Sequence, residues 1–284
     1  MELSLPMRGR LPPEFRLYYA VAAGVFGLVL GSFLNVSIYR IPRDLSVLRP
    51  RSFCPECGKQ IAWYDNVPLL SYVMLSGRCR SCEKRIGLRY PIVELTTAVL
   101  FALVAVRYGW TWVALKWMIF EAMLVVLFCT DLEEQILPDE FTLGGTLVGL
   151  ILAIFVMVPS MFGEMFFPAW SPAATSEFNA ALGAVLLAGP IWLIGAVYAW
   201  VRKRQGLGFG DVKLLMLFGV FLGLENGLFA LLVGTVAGSV IGLIYVFAAR
   251  KKVSQTELPF GSFLCIGAGI IPLLSRMGMT FQSR

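Results

Sequence analysis

The chain has 284 residues, 58% hydrophobic and 15% charged, with a formal net charge of +6 and a mean hydropathy of +0.76. So apolar a composition excludes an ordinary soluble domain, which lacks the interior to hide it, whereas a helix bundle in the lipid bilayer has no need to. The basic excess does not indicate a nucleic-acid partner, because Lys and Arg cluster between apolar runs and form no basic–aromatic module.

Residues 1–16 are polar, with Arg8, Arg10 and Arg16, and an apolar run follows from Leu17 to about Ile38. That run is longer than the apolar region of a signal peptide and no small-residue cleavage site follows it, so it reads as a retained first helix. Residues 40–90 are a different material, with four cysteines and ten Lys or Arg residues from Arg40 to Arg89. They form a small polar insertion between the first and second membrane helices. Further apolar runs occupy roughly 91–107, 111–130, 141–159, 180–201, 212–224, 227–249 and 260–276. A crossing takes about 20 apolar residues. The pattern predicts an all-α polytopic membrane protein with about eight transmembrane helices. Its three parts are 1–39 with the first helix, the insertion at 40–90, and a membrane core at 91–284. No internal repeat is evident.

Cytoplasmic loops collect Lys and Arg. Placing the insertion in the cytoplasm also puts Arg202, Lys203 and Arg204, then Arg250, Lys251 and Lys252, on that side. The 160–178 loop, with no Lys or Arg, then falls outside together with the N-terminus; only the N-terminal arginines and Arg107 resist.

Cys54-Pro-Glu-Cys57 and Cys79-Arg-Ser-Cys82 are two CxxC pairs separated by 21 residues. Each pair can grip one face of a tetrahedral ion, and four thiolates suit zinc. Such a closed shell makes the zinc structural, folding a stretch too small for its own core. Two disulfides, or a redox-active CxxC, are the alternatives; the first needs an oxidising compartment. Cys129 and Cys265 lie in apolar spans and read as small hydrophobes.

Histidine is absent. That removes Ser-His-Asp and Cys-His hydrolases and the HExxH zinc proteases, leaving hydrolysis to carboxylates, Lys, Ser, Cys or a metal without His ligands. Asp131 ends the run Leu124–Thr130, where a helix C-terminus disfavours negative charge, so it needs another reason to be there. Asp139 follows Pro138 and reads as a helix N-cap. Asp211 sits in Gly208-Phe-Gly-Asp211 at the mouth of a span, where glycines let an extended chain come close. The topology puts Asp131 and Asp211 at the same membrane face. Two adjacent carboxylates share a proton, the ionised one activating water while the protonated one donates to the scissile carbonyl. Asn35, Glu94 and Glu121 are further polar residues in or beside apolar spans. Asn35 reads as a cap or helix bridge, Glu94 as a partner of Arg89, and Glu121 as protonated or partnered.

These motifs resemble the bacterial type IV prepilin leader peptidases. The resemblance is carried by Gly31-Ser-Phe-Leu-Asn-Val-Ser-Ile-Tyr-Arg-Ile-Pro42, the CPxC pair, Asn66-Val-Pro-Leu-Leu-Ser71, Gly77-Arg-Cys-Arg-Ser-Cys82, Arg89-Tyr-Pro-Ile-Val-Glu94, Asp131 through Leu137-Pro-Asp139, and Gly208-Phe-Gly-Asp-Val-Lys-Leu-Leu215. It runs in order from about residue 24 to the C-terminal spans.

The resemblance implies a bacterial inner-membrane enzyme that cleaves the leader of prepilins and pseudopilins at the cytoplasmic face. Many such enzymes then methylate the new N-terminal residue with S-adenosylmethionine. It carries over Asp131 and Asp211 as the catalytic pair, the four cysteines as the metal site, and Asp139 as a recurring but non-catalytic position. The cysteine-bearing insertion is typical of the bifunctional members, although no glycine fingerprint locates a cofactor site. The 160–178 loop looks long for the family. Two other classes compete: a proton- or ion-coupled transporter using Glu94 and Glu121, and a non-catalytic assembly scaffold docking through the zinc module.

Overall fold

The computed structural model describes residues 13–203, 208–249 and 259–274, and all of its extended elements are helices. Arg8, Arg10, Arg204, Arg250, Lys251 and Lys252, which enter the orientation argument, lie outside the described residues. Helix α1 (Pro13–Arg40) is an apolar rod stopped at Ile41-Pro42, where proline has no N–H to continue the ladder. After the insertion, which holds a single helical turn α2 (Leu70–Met74), α3 (Arg89–Tyr108) returns along α1. The two come into close contact because Gly27 and Gly31 present no side chain: a Cβ on either would lie 2.8 Å from the backbone of Ala98 or Glu94.

Helix α4 (Trp112–Glu134) starts where the Thr111 side chain accepts the Ala114 N–H at 3.2 Å. It is the centre of the bundle, with 78% of its apolar window buried against 28% for each of the two longest helices. Phe120 of α4 is fully buried and stacks on Phe221 at 4.8 Å between ring centres. The outward faces of α1, α7 and α8 carry exposed large apolar residues such as Val25, Trp192 and Ile244, as helices facing lipid do.

The core continues with α5 (Asp139–Ala153), α6 (Met161–Phe166), α7 (Pro172–Arg202), α8 (Phe209–Ala249), α9 (Phe260–Gly269) and α10 (Ile271–Leu274). Five of the described helices are long and apolar enough to cross a membrane, against the roughly eight spans expected. The difference has three sources. Helix α5 has only 15 residues, α9 and α10 share the last run, and α8 joins two runs into 41 residues across a break at Gly223.

That break has φ 76° and ψ 178°, and a Cβ on Gly223 would meet Pro159 O at 2.5 Å. The long loop expected at 160–178 is instead partly helical, because Ser160 and Ser171 cap α6 and α7. It is also tied down: Ser176 Oγ accepts Val158 N–H, Asn179 Nδ2 donates to Val158 O, and Glu225 Oε1 accepts Ser160 Oγ–H and Met161 N–H.

Helices α7 and α8 meet at Gly183 and Gly219, where a Cβ on Gly219 would fall on the backbone of Gly183 and Ala184. Gly219→Ala therefore forces the helices apart. Overpacking of this kind costs about 1–3 kcal/mol. A lowered unfolding midpoint in detergent is the expected result, and an unchanged midpoint would show that the contact yields freely.

Candidate active site and metal centre

Asp131 lies in the last turn of α4, which ends at Gln135 in the left-handed region. Its side chain is buried, and Oδ2 accepts two hydrogen bonds from one residue of α9: Ser262 N at 2.6 Å and Ser262 Oγ at 2.9 Å. The Ser262 hydroxyl also reaches Phe128 O at 3.0 Å. Ser262 is the third residue of α9, and the cap residue of that helix, Pro259, offers no side-chain bond. The Asp131 carboxylate therefore caps α9 from a different helix. This supplies the reason for a charge that the end of α4 by itself disfavours.

Glycine makes that approach possible, since a Cβ on Gly261 would stand 3.1 Å from Asp131 Cγ and 3.1 Å from Leu137 Cδ1. Leu137 also lies against Gly210, where a Cβ would be 3.2 Å from it. Leu137 thus wedges between the start of α9 and the start of α8, the helix that carries Asp211. Asp211 is in the first turn of α8, partly buried, and its carboxylate lies within electrostatic range of Asp131. No direct hydrogen bond joins the two carboxylates among the described residues. Asp139 is not the cap of α5; Pro138 holds that position, and Asp139 is the first helical residue. Its Oδ1 pairs with Lys213 Nζ at 2.6 Å, tying α5 to α8 two residues beyond Asp211.

Of the other polar residues in or beside apolar runs, Asn35 and Glu94 have hydrogen-bond partners in the fold, whereas Glu121 Oε1 and Lys116 Nζ have none. Asn35 bridges α1 to α3 by donating to Tyr90 O at 3.0 Å. Glu94 does not pair with Arg89. It accepts Leu69 N–H at 2.8 Å, while Arg89 pairs with Glu133 at 2.6 Å because α4 ends beside the start of α3. Glu121 is buried, and its Oε1 has no hydrogen-bond partner. Lys116, which carries no sequence signal beyond being a charge in an apolar run, is also buried in α4, 4.9 Å from the ring centre of Trp117. Cys129 and Cys265 are buried as expected.

In the insertion, Cys54, Cys57, Cys79 and Cys82 converge with all four Sγ atoms within 4.8 Å of one another, and Cys54 and Cys82 are 3.9 Å apart. Tetrahedral zinc with Zn–S of about 2.3 Å separates its sulfurs by about 3.8 Å, so the four residues fit such an ion. No disulfide joins them.

The two pairs are built alike, which the sequence reading missed when it found no internal repeat. Each is a knuckle closed by an antiparallel bridge, Phe53 with Gln60 and Arg78 with Arg85. In each, the first cysteine's N–H bonds the carbonyl five residues on, Lys59 or Lys84, at 2.9 Å. Gly58 and Glu83 hold the same left-handed position, φ 68° and 56°. N–H groups of Cys82 and Ser81 point at the Cys79 sulfur and pull that thiol down to about 7, toward the thiolate a metal takes. Arg80 grips Asp65 with two hydrogen bonds of 2.8 and 2.7 Å and holds that carboxyl below its usual range.

Between the insertion and the ends of α1 and α3 lies a cavity of about 440 Å³, within the range for small-molecule sites. Its walls include Asn35, Arg40, Tyr72, Tyr90 and Glu94.

Sequence reasoning missed Ser262, Gly261 and Leu137. The only available signal was the Pro259-Phe-Gly-Ser262 stretch at the mouth of the last span, small residues where a helix has to begin.

Comparison with known proteins agrees with the motifs. Residues 25–108 match the family model described as bacterial Peptidase A24 N-terminal domain, and residues 118–243 match the type IV leader peptidase family. A prepilin leader peptidase/N-methyltransferase of Myxococcus xanthus is 37% identical over 87% of this chain and 69% of its own length. One of Neisseria gonorrhoeae is 36% identical over 88% of each. One of Pseudomonas putida is 34% identical over 90% of this chain and 91% of its own. No solved structure matches. With both family models matched in order along an all-helical, membrane-type bundle, the chain belongs to the type IV prepilin leader peptidase family.

Proposed function

We propose that this chain is a multi-pass inner-membrane aspartyl endopeptidase. It removes the leader of prepilins and pseudopilins at the cytoplasmic face and then N-methylates the new N-terminus. The observation that carries the peptidase reading is the buried Asp131 carboxylate, fixed by Ser262 and linked through Leu137 to Gly210, the residue before Asp211.

Two donors occupy Asp131 Oδ2, which leaves Oδ1 as the oxygen that works with Asp211. One carboxylate takes a proton from water as the water oxygen bonds the scissile carbonyl carbon. The protonated partner hands its proton to the peptide nitrogen as the C–N bond breaks. The glycines at 208 and 210 keep the mouth of α8 narrow enough for an extended leader to lie beside Asp211.

Zinc, held by Cys54, Cys57, Cys79 and Cys82, is structural: its shell is closed by four thiolates. S-adenosylmethionine would be the methyl donor, its S–CH3 bond breaking to leave the neutral thioether as the unprotonated terminal amine gains the methyl and sheds one proton. The insertion at 40–90 and the aspartates are cytoplasmic, the N-terminal segment of 1–39 begins outside, and 91–284 is the peptidase core. The transporter reading has lost ground, because Glu94 is engaged by the backbone of the insertion.

In membranes, Asp131→Asn and Asp211→Asn at matched expression should each lower leader cleavage by about 10²-fold or more. Full activity in either inserted variant would break the pair. Ser262→Ala removes one of two bonds to Asp131 while keeping the backbone one. A loss of about tenfold in kcat with KM little changed is expected, from the worth of a hydrogen bond to a charged group. An equal rise in KM instead would make Ser262 a binding residue. Cys79→Ser should lose bound metal and open residues 41–88 to trypsin; retained metal and resistance would refute a four-thiolate site.

A further inference from the structure

The peptidase chemistry gives no task to the cavity under the insertion, yet its inner wall is chemically specific. We propose that this cavity binds the α-ammonium group of a ligand that also carries a flat ring, with Glu94 as counter-charge and Asn35 Oδ1 as second acceptor; this rests on the methyltransferase part of the function above.

Asn35 is 1% exposed, and its amide nitrogen is committed to Gly31 O and Tyr90 O. Its Oδ1 is buried with no partner, and an unmet buried acceptor costs about 1–3 kcal/mol, so the site is short of a donor. Glu94 lines the same cavity and forms no ion pair among the described residues, its one backbone donor being Leu69. Several nearby cations are committed elsewhere: Arg80 pairs with Asp65 and Lys84 with Glu56, while Lys59 and Arg85 also line the cavity. Arg89 pairs with Glu133, and Arg40 donates to Ser46 O at 2.8 Å and Arg51 O at 3.4 Å while lying over Phe53. A buried carboxylate beside an unanswered carbonyl oxygen calls for a cationic N–H donor.

The wall also carries Tyr39, Phe53, Tyr72 and Tyr90, aromatic side chains that suit a ring and add attraction for a cation. The cavity is joined to the active-site end of α4 by two ion pairs of 2.6 Å, Arg89–Glu133 and Arg43–Glu134, two and three residues beyond Asp131. Two molecules share the required chemistry. One is S-adenosylmethionine, with an adenine and an α-ammonium; the other is a processed peptide with a free N-terminal phenylalanine.

Equilibrium dialysis on the full-length, metal-loaded protein in detergent separates them. The probes are S-adenosylmethionine, a peptide with a free N-terminal phenylalanine, and the same peptide acetylated. Glu94→Gln keeps an oxygen for Leu69 N–H but removes the charge. It should weaken S-adenosylmethionine, the free-amine peptide, or both by about tenfold to a hundredfold, and leave the acetylated peptide unaffected. Whichever probe responds identifies the occupant; if neither responds, the proposal is wrong.

Ultraviolet crosslinking of S-adenosylmethionine or a photoreactive phenylalanine peptide to wild type, mapped by mass spectrometry, tests the same site without a variant. Adducts within 32–94 support it, and adducts confined elsewhere overturn it. Wild type that neither cleaves nor methylates a prepilin would sink the parent reading. Normal turnover with normal binding by Glu94→Gln would sink only this site.

Discussion

Asp131 belongs to two helices at once, and the arrangement of the active end follows from that. Its backbone closes the last turn of α4, while its carboxylate accepts the N–H and hydroxyl of Ser262 in the first turn of α9, a helix whose own cap is a proline. A helix N-terminus leaves its first N–H groups without intrahelical partners, and this contact anchors α9 where it begins. Fixing α9 brings Gly261 against Leu137, Leu137 against Gly210, and so Asp211 into the field of Asp131. The carboxylate proposed for catalysis is also the one that joins α4 to α9.

That junction is stable because the surrounding helices are bound by close approach rather than by exclusion of water. Lipid tails are as apolar as leucine, so helices gain from contact only where backbones come near. The glycine contacts of α1 with α3 and of α7 with α8 serve this purpose, and they frame the deeply buried α4. Polar residues inside the frame are expensive, and most have been given backbone partners: Asn35 with Tyr90, Ser176 with Val158, Glu94 with Leu69.

Much of this was legible in the sequence, for a physical reason in each case. Hydropathy alone locates apolar runs, since length in lipid is set by the bilayer. Paired CxxC spacing announces four sulfurs able to converge on one ion, and the four Sγ atoms do lie within 4.8 Å of one another. Asp131 and Asp211 stand out as charges at membrane edges. What stayed hidden depends on contacts between distant segments. Ser262 is an unremarked serine until α9 lies across α4, 131 residues from its partner. The break at Gly223 looks like any glycine in an apolar run, and Glu83 hides the likeness of the two knuckles because it stands where the first has Gly58. The Arg89–Glu94 pairing failed because a nearer-in-sequence partner lost to Glu133, which the fold delivers 44 residues on.

The insertion leaves the bundle at Arg40 and re-enters it at Arg89, and those two points are held together by the packing of α1 on α3 whatever lies between them. Its loop is closed by that helix pair and not by the metal module. Chain statistics then make its length almost immaterial, since doubling a closed loop adds only about 0.6 kcal/mol. A segment mounted this way can gain, lose or exchange sequence over evolutionary time without disturbing the helices beneath it, provided the few residues at its base are kept.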